Sequence, residues 1–385
     1  MTPRPLVVLF SGVTWDGVRG SERQLTEALT AHADVLWVDP PVSPLTPRRY
    51  RGIGSTRRSW RPSLRAAAPG VTRLTPIALP GLTRPGIRAT TWPLVRAQVR
   101  KCLPRKPHAV VACSFDDVLG RWDALNVLYG TDDWVSGAAL MNQDATRLRA
   151  EEKAALARAD VVLAVTPELA ARWRELGADP VVVPNGCDTA AYRDIESVGP
   201  APVPDGFPGE VAGVVGQLTD RIDIRYLEAV ADTGTGLLLV GPRDPGWEPE
   251  RFPALLQRPN VHHPGAVPFT ELPKWLRRMD VGLTPYADTA FNRASFPLKT
   301  LEYLAAGRAV VGSALPATRR LAGESADVVA VAEPDEFARA VLATLRAPQD
   351  ARRRQRYAEQ HSWPARAAVV AQAIGLPVVE NYRQR

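Results

Sequence analysis

Residues 291–312 read FNRASFPLKTLEYLAAGRAVVG. They follow a short apolar run, Val281–Thr284, that reads as a buried strand closed by Pro285 and Tyr286. Pro297 suits the first turn of a helix, where its missing N–H costs nothing. Leu298, Leu301, Tyr303, Leu304 and Ala305 give that helix an apolar side, and Gly307 ends it. Ala309–Gly312 then begins another strand. Strand, loop, helix, strand is the unit of a parallel α/β sheet. Its helix N-terminus opens at the carboxyl ends of the strands, where free N–H groups and the macrodipole favour an anion such as a diphosphate. Lys299 in the first turn is badly placed for the dipole unless a phosphate binds there. Glu302, one turn on, can accept hydrogen bonds from a sugar diol. Against this stands a plainer reading, in which Lys299 and Glu302 simply belong to a solvated helix face.

The chain has 385 residues, enough for two ordinary domains, and 45% of them are hydrophobic. No run approaches the roughly 20 apolar residues of a membrane span. The apolar run Leu6–Phe10 is too short for a signal-peptide core and reads as a first strand. Cys102, Cys113 and Cys187 lie far apart with no Cys-x-x-Cys, which suits free thiols in a cytoplasmic protein. The five His show no metal-ligand spacing, so no metal is expected. Net charge is +7 and unevenly spread: residues 41–115 hold fifteen Lys or Arg and no Asp or Glu. Such a block is expected to face something anionic, either a phosphorylated acceptor or, through residues 48–106, the inner membrane surface. Nucleic acid is not expected, because aromatic residues are sparse among these Arg. An Arg-favouring composition explains Arg over Lys but not the missing acids.

From the N-terminus, Leu6–Ser11 reads as a strand, followed by a Gly-bearing loop that contains Trp15, Asp16, Gly17 and Gly20. Ser21 is placed to cap the next helix. Residues 92–103 carry apolar positions at helical spacing beside Arg96, Arg100 and Lys101. This predicts either an interfacial helix or one packed on the sheet with a solvated basic side. Strands at Ala109–Ala112 and Leu125–Tyr129 lead into Tyr129-Gly-Thr-Asp-Asp-Trp134. Adjacent carboxylates at a strand's carboxyl end sit where α/β sheets place their sites. Asp132 or Asp133 would serve a ligand or take a proton there, or else cap a helix and pair with a cation. The Pro- and Gly-rich stretch 196–209 predicts a domain boundary, giving domains at 1–196 and 197–360 and a closing helix in 361–385. A second strand–loop–helix series begins at Val211, and its loop holds Gly216, Gln217 and Arg221.

Taken together, the segments FPLKTLEYLAAGRAVV, Pro-Asn-Gly-x-Asp at 184–188, the Gly216–Arg221 loop and the turn at Gly265–Val267 resemble the GT-B glycosyltransferases of family 4, also called group 1. The resemblance implies an α/β fold of two Rossmann-like domains facing across a cleft, with the last helix returning to the first domain. It implies transfer of a sugar from a nucleotide-diphosphate donor to the hydroxyl of a small-molecule or lipid-linked acceptor, with retention of configuration and neither cofactor nor metal. Arg221 and Lys299 would hold the diphosphate, with Asp132 and Asp133 on the acceptor side. Gly216, Gln217, Gly265, Ala266, Val267, Phe296, Pro297, Leu298 and Glu302 would line the nucleotide sugar. The loop of Trp15, Asp16, Gly17 and Gly20 would meet phosphate or acceptor. Ala294 stands where the family commonly has a second Glu, which puts that contact to the sugar in doubt. A nucleotide-sugar hydrolase or epimerase of the same fold, and a non-catalytic module binding anionic surfaces, are the alternative readings.

Overall fold

The computed structural model describes residues 3–17, 19–43, 45, 61–81 and 84–377. They form two compact units, one of residues 1–185 and 363–385, the other of residues 186–362.

In the first unit, β1 (Leu6–Phe10), α1 (Ser21–Leu29) and β2 (Asp34–Val38) form a βαβ start, and β3 (Ser63–Ala68) and β4 (Val71–Thr75) form a hairpin. Then come α2 (Pro85–Cys102), β5 (Ala109–Ala112), β6 (Leu125–Gly130), α3 (Ala145–Leu156), β7 (Val161–Ala164), α4 (Pro167–Glu175) and β8 (Pro180–Val182). The sheet order is β3-β4-β2-β1-β5-β6-β7-β8, parallel except for β3. Helices on both faces explain why its central strands read as unbroken apolar runs. Val7, Leu9, Val35, Trp37, Val111 and Tyr129 form one side's core with Leu25 and Leu29 of α1.

The second unit runs β9 (Val211–Val215), α5 (Ile224–Asp232), β10 (Gly236–Val240), α6 (Arg251–Leu256), β11 (Val261–Gly265), α7 (Leu272–Arg278) and β12 (Val281–Thr284). It continues with α8 (Ala290–Ala294), α9 (Leu298–Ala305), β13 (Ala309–Ser313), α10 (Pro316–Glu324), β14 (Val328–Val331), α11 (Pro334–Arg346) and α12 (Ala351–Gln360). All six strands are parallel, in the order β11-β10-β9-β12-β13-β14. Strand periodicity divides the core: Val211 and Val215 face α7 and α9, whereas Ala212 and Val214 face α5 and α11. The last helix, α13 (Trp363–Ala373), returns to the first unit and packs against α1.

Three expectations need correction. The units divide at 185/186, not at 196: Tyr192 and Ile195 are buried in the second unit's core, and the Ala201 N–H donates to the Lys274 carbonyl at 2.9 Å. The Pro-rich stretch is thus a strap on that unit. Ser21 is the first helical residue rather than the cap, a position Gly20 takes with its carbonyl accepting from Gln24 N–H at 3.1 Å. Pro297 likewise sits one place ahead of α9, with a non-helical ψ of 75°.

The acid-free block finds its acids elsewhere in the first unit. Arg73 pairs with Asp16 and Asp39, Arg65 with Asp16, Arg88 with Glu151, Arg96 with Asp117, Arg105 with Asp34 and Lys106 with Asp123. α2 buries Val95 and Val99 together with Arg96, so its Arg96 side faces the protein. Arg48, Arg49, Arg51, Arg57 and Arg58 lie outside the described residues. Among the described residues, no helix is long and apolar enough to cross a membrane.

Candidate functional site

In the second unit the strand order reverses between β9 and β12, and open α/β sheets bind ligands in the crevice at such a point. A cavity of about 230 Å³ lies there. Gly216, Gln217 and Arg221 line it from the loop after β9, Pro285 and Tyr286 from the end of β12, and Phe296, Leu298 and Lys299 from the start of α9. The expected residues of the Gly216 loop and of the α9 start therefore meet in one place.

The backbone around Gly216 has no room for a side chain on its neighbour. Gly216 and Gly241, the residues after β9 and β10, both have φ of +143°, and a Cβ on Gly241 would sit 1.8 Å from the Gly216 carbonyl oxygen. α9 is fixed from below, where the Tyr303 hydroxyl accepts the Val215 N–H at 2.7 Å. Its N-terminus carries no side-chain cap, leaving the positive end of the helix to the cavity.

Arg221 is held on three sides. Its Nε donates to Asn292 Oδ1 at 3.0 Å, and its guanidinium lies 4.9 Å from the Phe291 ring centre and 5.4 Å from that of Tyr286. Cation–π contact of this kind holds Arg flat, leaving its terminal nitrogens for a bidentate partner. Lys299 Nζ pairs with Glu302 at 2.5 Å, and the two side chains keep 26% and 12% exposure. The two charges thus pair with each other at the cavity's edge rather than standing on an open solvated face. Gly265 ends β11 and Ala266 and Val267 follow it, two strands from β9 and roughly 10 Å along the same edge at ordinary strand spacing. They do not line the cavity. Ala294 is buried in α8.

The first-unit residues fare differently. Trp15 is core: it packs edge-on against Trp37 with ring centres 5.1 Å apart, and its N–H donates to Asp39 at 3.0 Å. Asp16 pairs with Arg73 at 2.6 Å, and that hydrogen bond holds its carboxyl below the usual range. Gly17 closes a turn onto the Thr14 carbonyl at 3.0 Å. Trp15 is therefore drawn inward onto the buried Asp39, whereas Asp16 pairs with Arg73 while its side chain stays exposed. Asp133 is also structural. It accepts from the Ser136 N–H at 3.0 Å, the Ser136 hydroxyl at 2.7 Å and Arg172 at 3.0 Å. Asp132 remains half-buried near Glu22.

Sequence reasoning missed Glu22. It is buried in the first turn of α1, accepting from the Gly12 N–H at 3.0 Å and from the Ser11 hydroxyl. Burial pushes its carboxyl up to about 7, and the charge of Asp132 adds to that. An acid in the first turn of a helix is a common complement to the macrodipole, so the sequence alone does not single it out. Asn292 was missed as well, since nothing local marks it.

The elements that build the second unit's cavity decide the family: residues 211–347 match the description Glycosyl transferases group 1. This stretch belongs to that family. A teichuronic acid biosynthesis glycosyltransferase of Bacillus subtilis is 31% identical over 141 residues, 36% of this chain and 35% of that protein. The match to this relative therefore spans about a third of its length. Among solved structures, sucrose-phosphate synthase from Thermosynechococcus elongatus superposes with a TM-score of 0.71 at 19% identity, covering 96% of this chain and 98% of that one. Anabaena HepE, solved with UDP and glucose, gives 0.65 at 15% identity, covering 96% and 99%. The fold is GT-B, two Rossmann-like units.

Proposed function

We propose that the chain transfers a sugar from a nucleotide-diphosphate donor to an acceptor hydroxyl. The observation that carries this reading is the cavity at the β9/β12 switch point, where Arg221, Lys299 and the uncapped start of α9 converge. Breaking the sugar–phosphate bond leaves negative charge on the β-phosphate. A guanidinium, an ammonium and helix N–H groups already in place stabilise that charge as it develops. Lys299 would then share its charge between Glu302 and phosphate, while Glu302 accepts from a donor hydroxyl. Gly216 and Gln217 would border the phosphates, and the turn at Gly265–Val267 would read the base through its backbone.

Retention of configuration belongs to this proposal on family resemblance, with Ala294 unable to make the contact of the usual Glu. Metal independence belongs to it too, because two cations occupy the place a metal would serve. The described cations of 48–106 are largely paired within their own unit, which argues against an anionic membrane surface as their main partner.

The test is a thermal-shift panel of UDP, GDP, dTDP, CDP and ADP, with and without EDTA. A ligand that binds only the folded state raises its stability by mass action. HepE makes UDP the first probe. One diphosphate should raise the melting temperature regardless of EDTA, and Arg221→Ala should abolish the shift. No shift with any of the five would overturn the proposal. A shift that needs a divalent ion would overturn its metal-free part.

A further inference from the structure

The β10–β11 ladder of the second unit carries an irregularity. Leu238 pairs with His262 and Val240 with Gly265, so between these pairs β10 has one residue, Leu239, and β11 has two, His263 and Pro264. An extra residue of this kind bends its strand and re-aims a side chain. Pro264 has no N–H to give to the ladder. The His263 ring reaches across instead, and its Nε2 donates to the Gly241 carbonyl at 2.9 Å. A carbonyl only accepts, so Nε2 is the ring nitrogen that carries the proton. The ring stands edge-on to Phe252 of α6, with ring centres 5.3 Å apart.

Gly241 is a joint between two loops. On one side its N–H donates to the Gly265 carbonyl at 2.9 Å, where the turn Gly265–Val267 begins. On the other side it lies against the Gly216 carbonyl. The chain beyond it is bonded to the loop that carries Arg221: Leu218 N–H donates to the Pro242 carbonyl and Asp244 N–H to the Leu218 carbonyl, both at 2.9 Å. The bulge lies directly before the turn. Its one side-chain clamp on Gly241 therefore ties the placement of Gly265 to that of Gly216.

We propose that His263 is a positioning residue that sets the spacing between the turn at Gly265–Val267 and the loop of Gly216 and Arg221, so that the site favours a ligand spanning both, a nucleoside diphosphate, over one that fills the phosphate end alone. His263 does not line the cavity and acts through Gly241. The inference rests on the nucleotide-sugar reading of this site.

The test compares UDP, titrated by calorimetry, with inorganic pyrophosphate, measured by its displacement of UDP. Where the chain takes another base, the diphosphate of that base replaces UDP. His263→Phe keeps a flat ring beside Phe252 and removes the donor. It should bind UDP about tenfold more weakly, the scale of one lost hydrogen bond, with pyrophosphate unchanged. His263→Gln, whose amide nitrogen reaches the place of Nε2, should bring UDP back to within about threefold of the parent. Melting curves verify that the variants fold, and His263→Leu replaces the Phe variant if that one does not. A His263 that only supported the fold would weaken both ligands alike. Equal weakening, unchanged UDP affinity in the Phe variant, a Gln variant as weak as the Phe one, or pyrophosphate that cannot displace UDP from the parent would each overturn the proposal. A parent that binds none of the five diphosphates would overturn the transferase reading itself, and this inference with it.

Discussion

Asn292 and Arg221 are bonded in both directions: Asn292 Oδ1 accepts from Arg221 Nε at 3.0 Å, and Asn292 Nδ2 donates to the Arg221 carbonyl at 3.0 Å. The same amide donates to the Ala287 carbonyl at 2.9 Å. One buried side chain thus fixes both the loop that carries Arg221 and the rotation of its guanidinium.

Asn292→Ala should therefore act twice. Losing its hydrogen bonds in a buried place should cost about 1–3 kcal/mol of stability. Freeing the guanidinium should weaken diphosphate binding on the order of tenfold, since a held Arg loses less entropy on forming its bonds. Urea unfolding gives the first number and titration calorimetry with the active diphosphate gives the second. If affinity holds while stability falls, Asn292 only supports the loop.

Asn292 shows what the sequence conceals. The α9 segment was legible because a 3.6-residue apolar period and a following β-branched run are local signals. The Arg221–Asn292 bond joins residues 71 apart, and only the fold brings them together. The described part of the basic block finds partners that the sequence conceals for the same reason. Charge along a sequence is one-dimensional, whereas Asp16, Asp34, Asp39, Asp117, Asp123 and Glu151 reach those cations from other elements. Asp133 was legible as an alternative, because Asp ahead of a Ser-bearing turn is a capping signal. Which alternative holds depended on Arg172 of α4.

Gly241→Ala should be severe. Its Cβ would collide with the Gly216 carbonyl, and backbone cannot swing aside as a side chain can. Relief would require moving the end of β9, which lines the cavity. The expected loss is about 3 kcal/mol or more, with diphosphate binding lost as well. A variant that melts within a degree or two of the parent would contradict this geometry.

Glu22 makes stability fall as pH rises. Its carboxyl titrates near 7 when folded, against 4.5 for an unperturbed Glu. Between those values the folded chain keeps a proton that the unfolded chain releases, so raising pH favours unfolding, and the effect levels off above about 7. Asp116, near 6, acts in the same direction. Glu22→Gln keeps a neutral group beside Ser11 and Gly12 and removes that loss. Its stability relative to wild type should therefore grow by on the order of 3 kcal/mol between about pH 5 and pH 8. Urea unfolding across this range checks it, and a constant difference would mean that Glu22 is ionised throughout.

Asp39 and Arg73 form the most enclosed ion pair of the first unit, 2.6 Å apart with side chains 0% and 4% exposed. Asp39 also accepts from Trp15 N–H at 3.0 Å, Trp37 Nε1 at 2.9 Å and the Thr75 hydroxyl at 2.5 Å. Arg73 keeps Asp16 when Asp39 is removed, but removing Arg73 leaves the Asp39 charge buried without its counter-ion, which costs about 3–5 kcal/mol. Arg73→Met alone should lose that much. The double variant Asp39→Asn with Arg73→Met should lose less than the sum of the two single changes, because no unpaired charge remains and the amide still accepts from the two Trp N–H groups. A double-mutant cycle by urea unfolding measures the difference. Additive losses would mean that the two charges do not depend on one another.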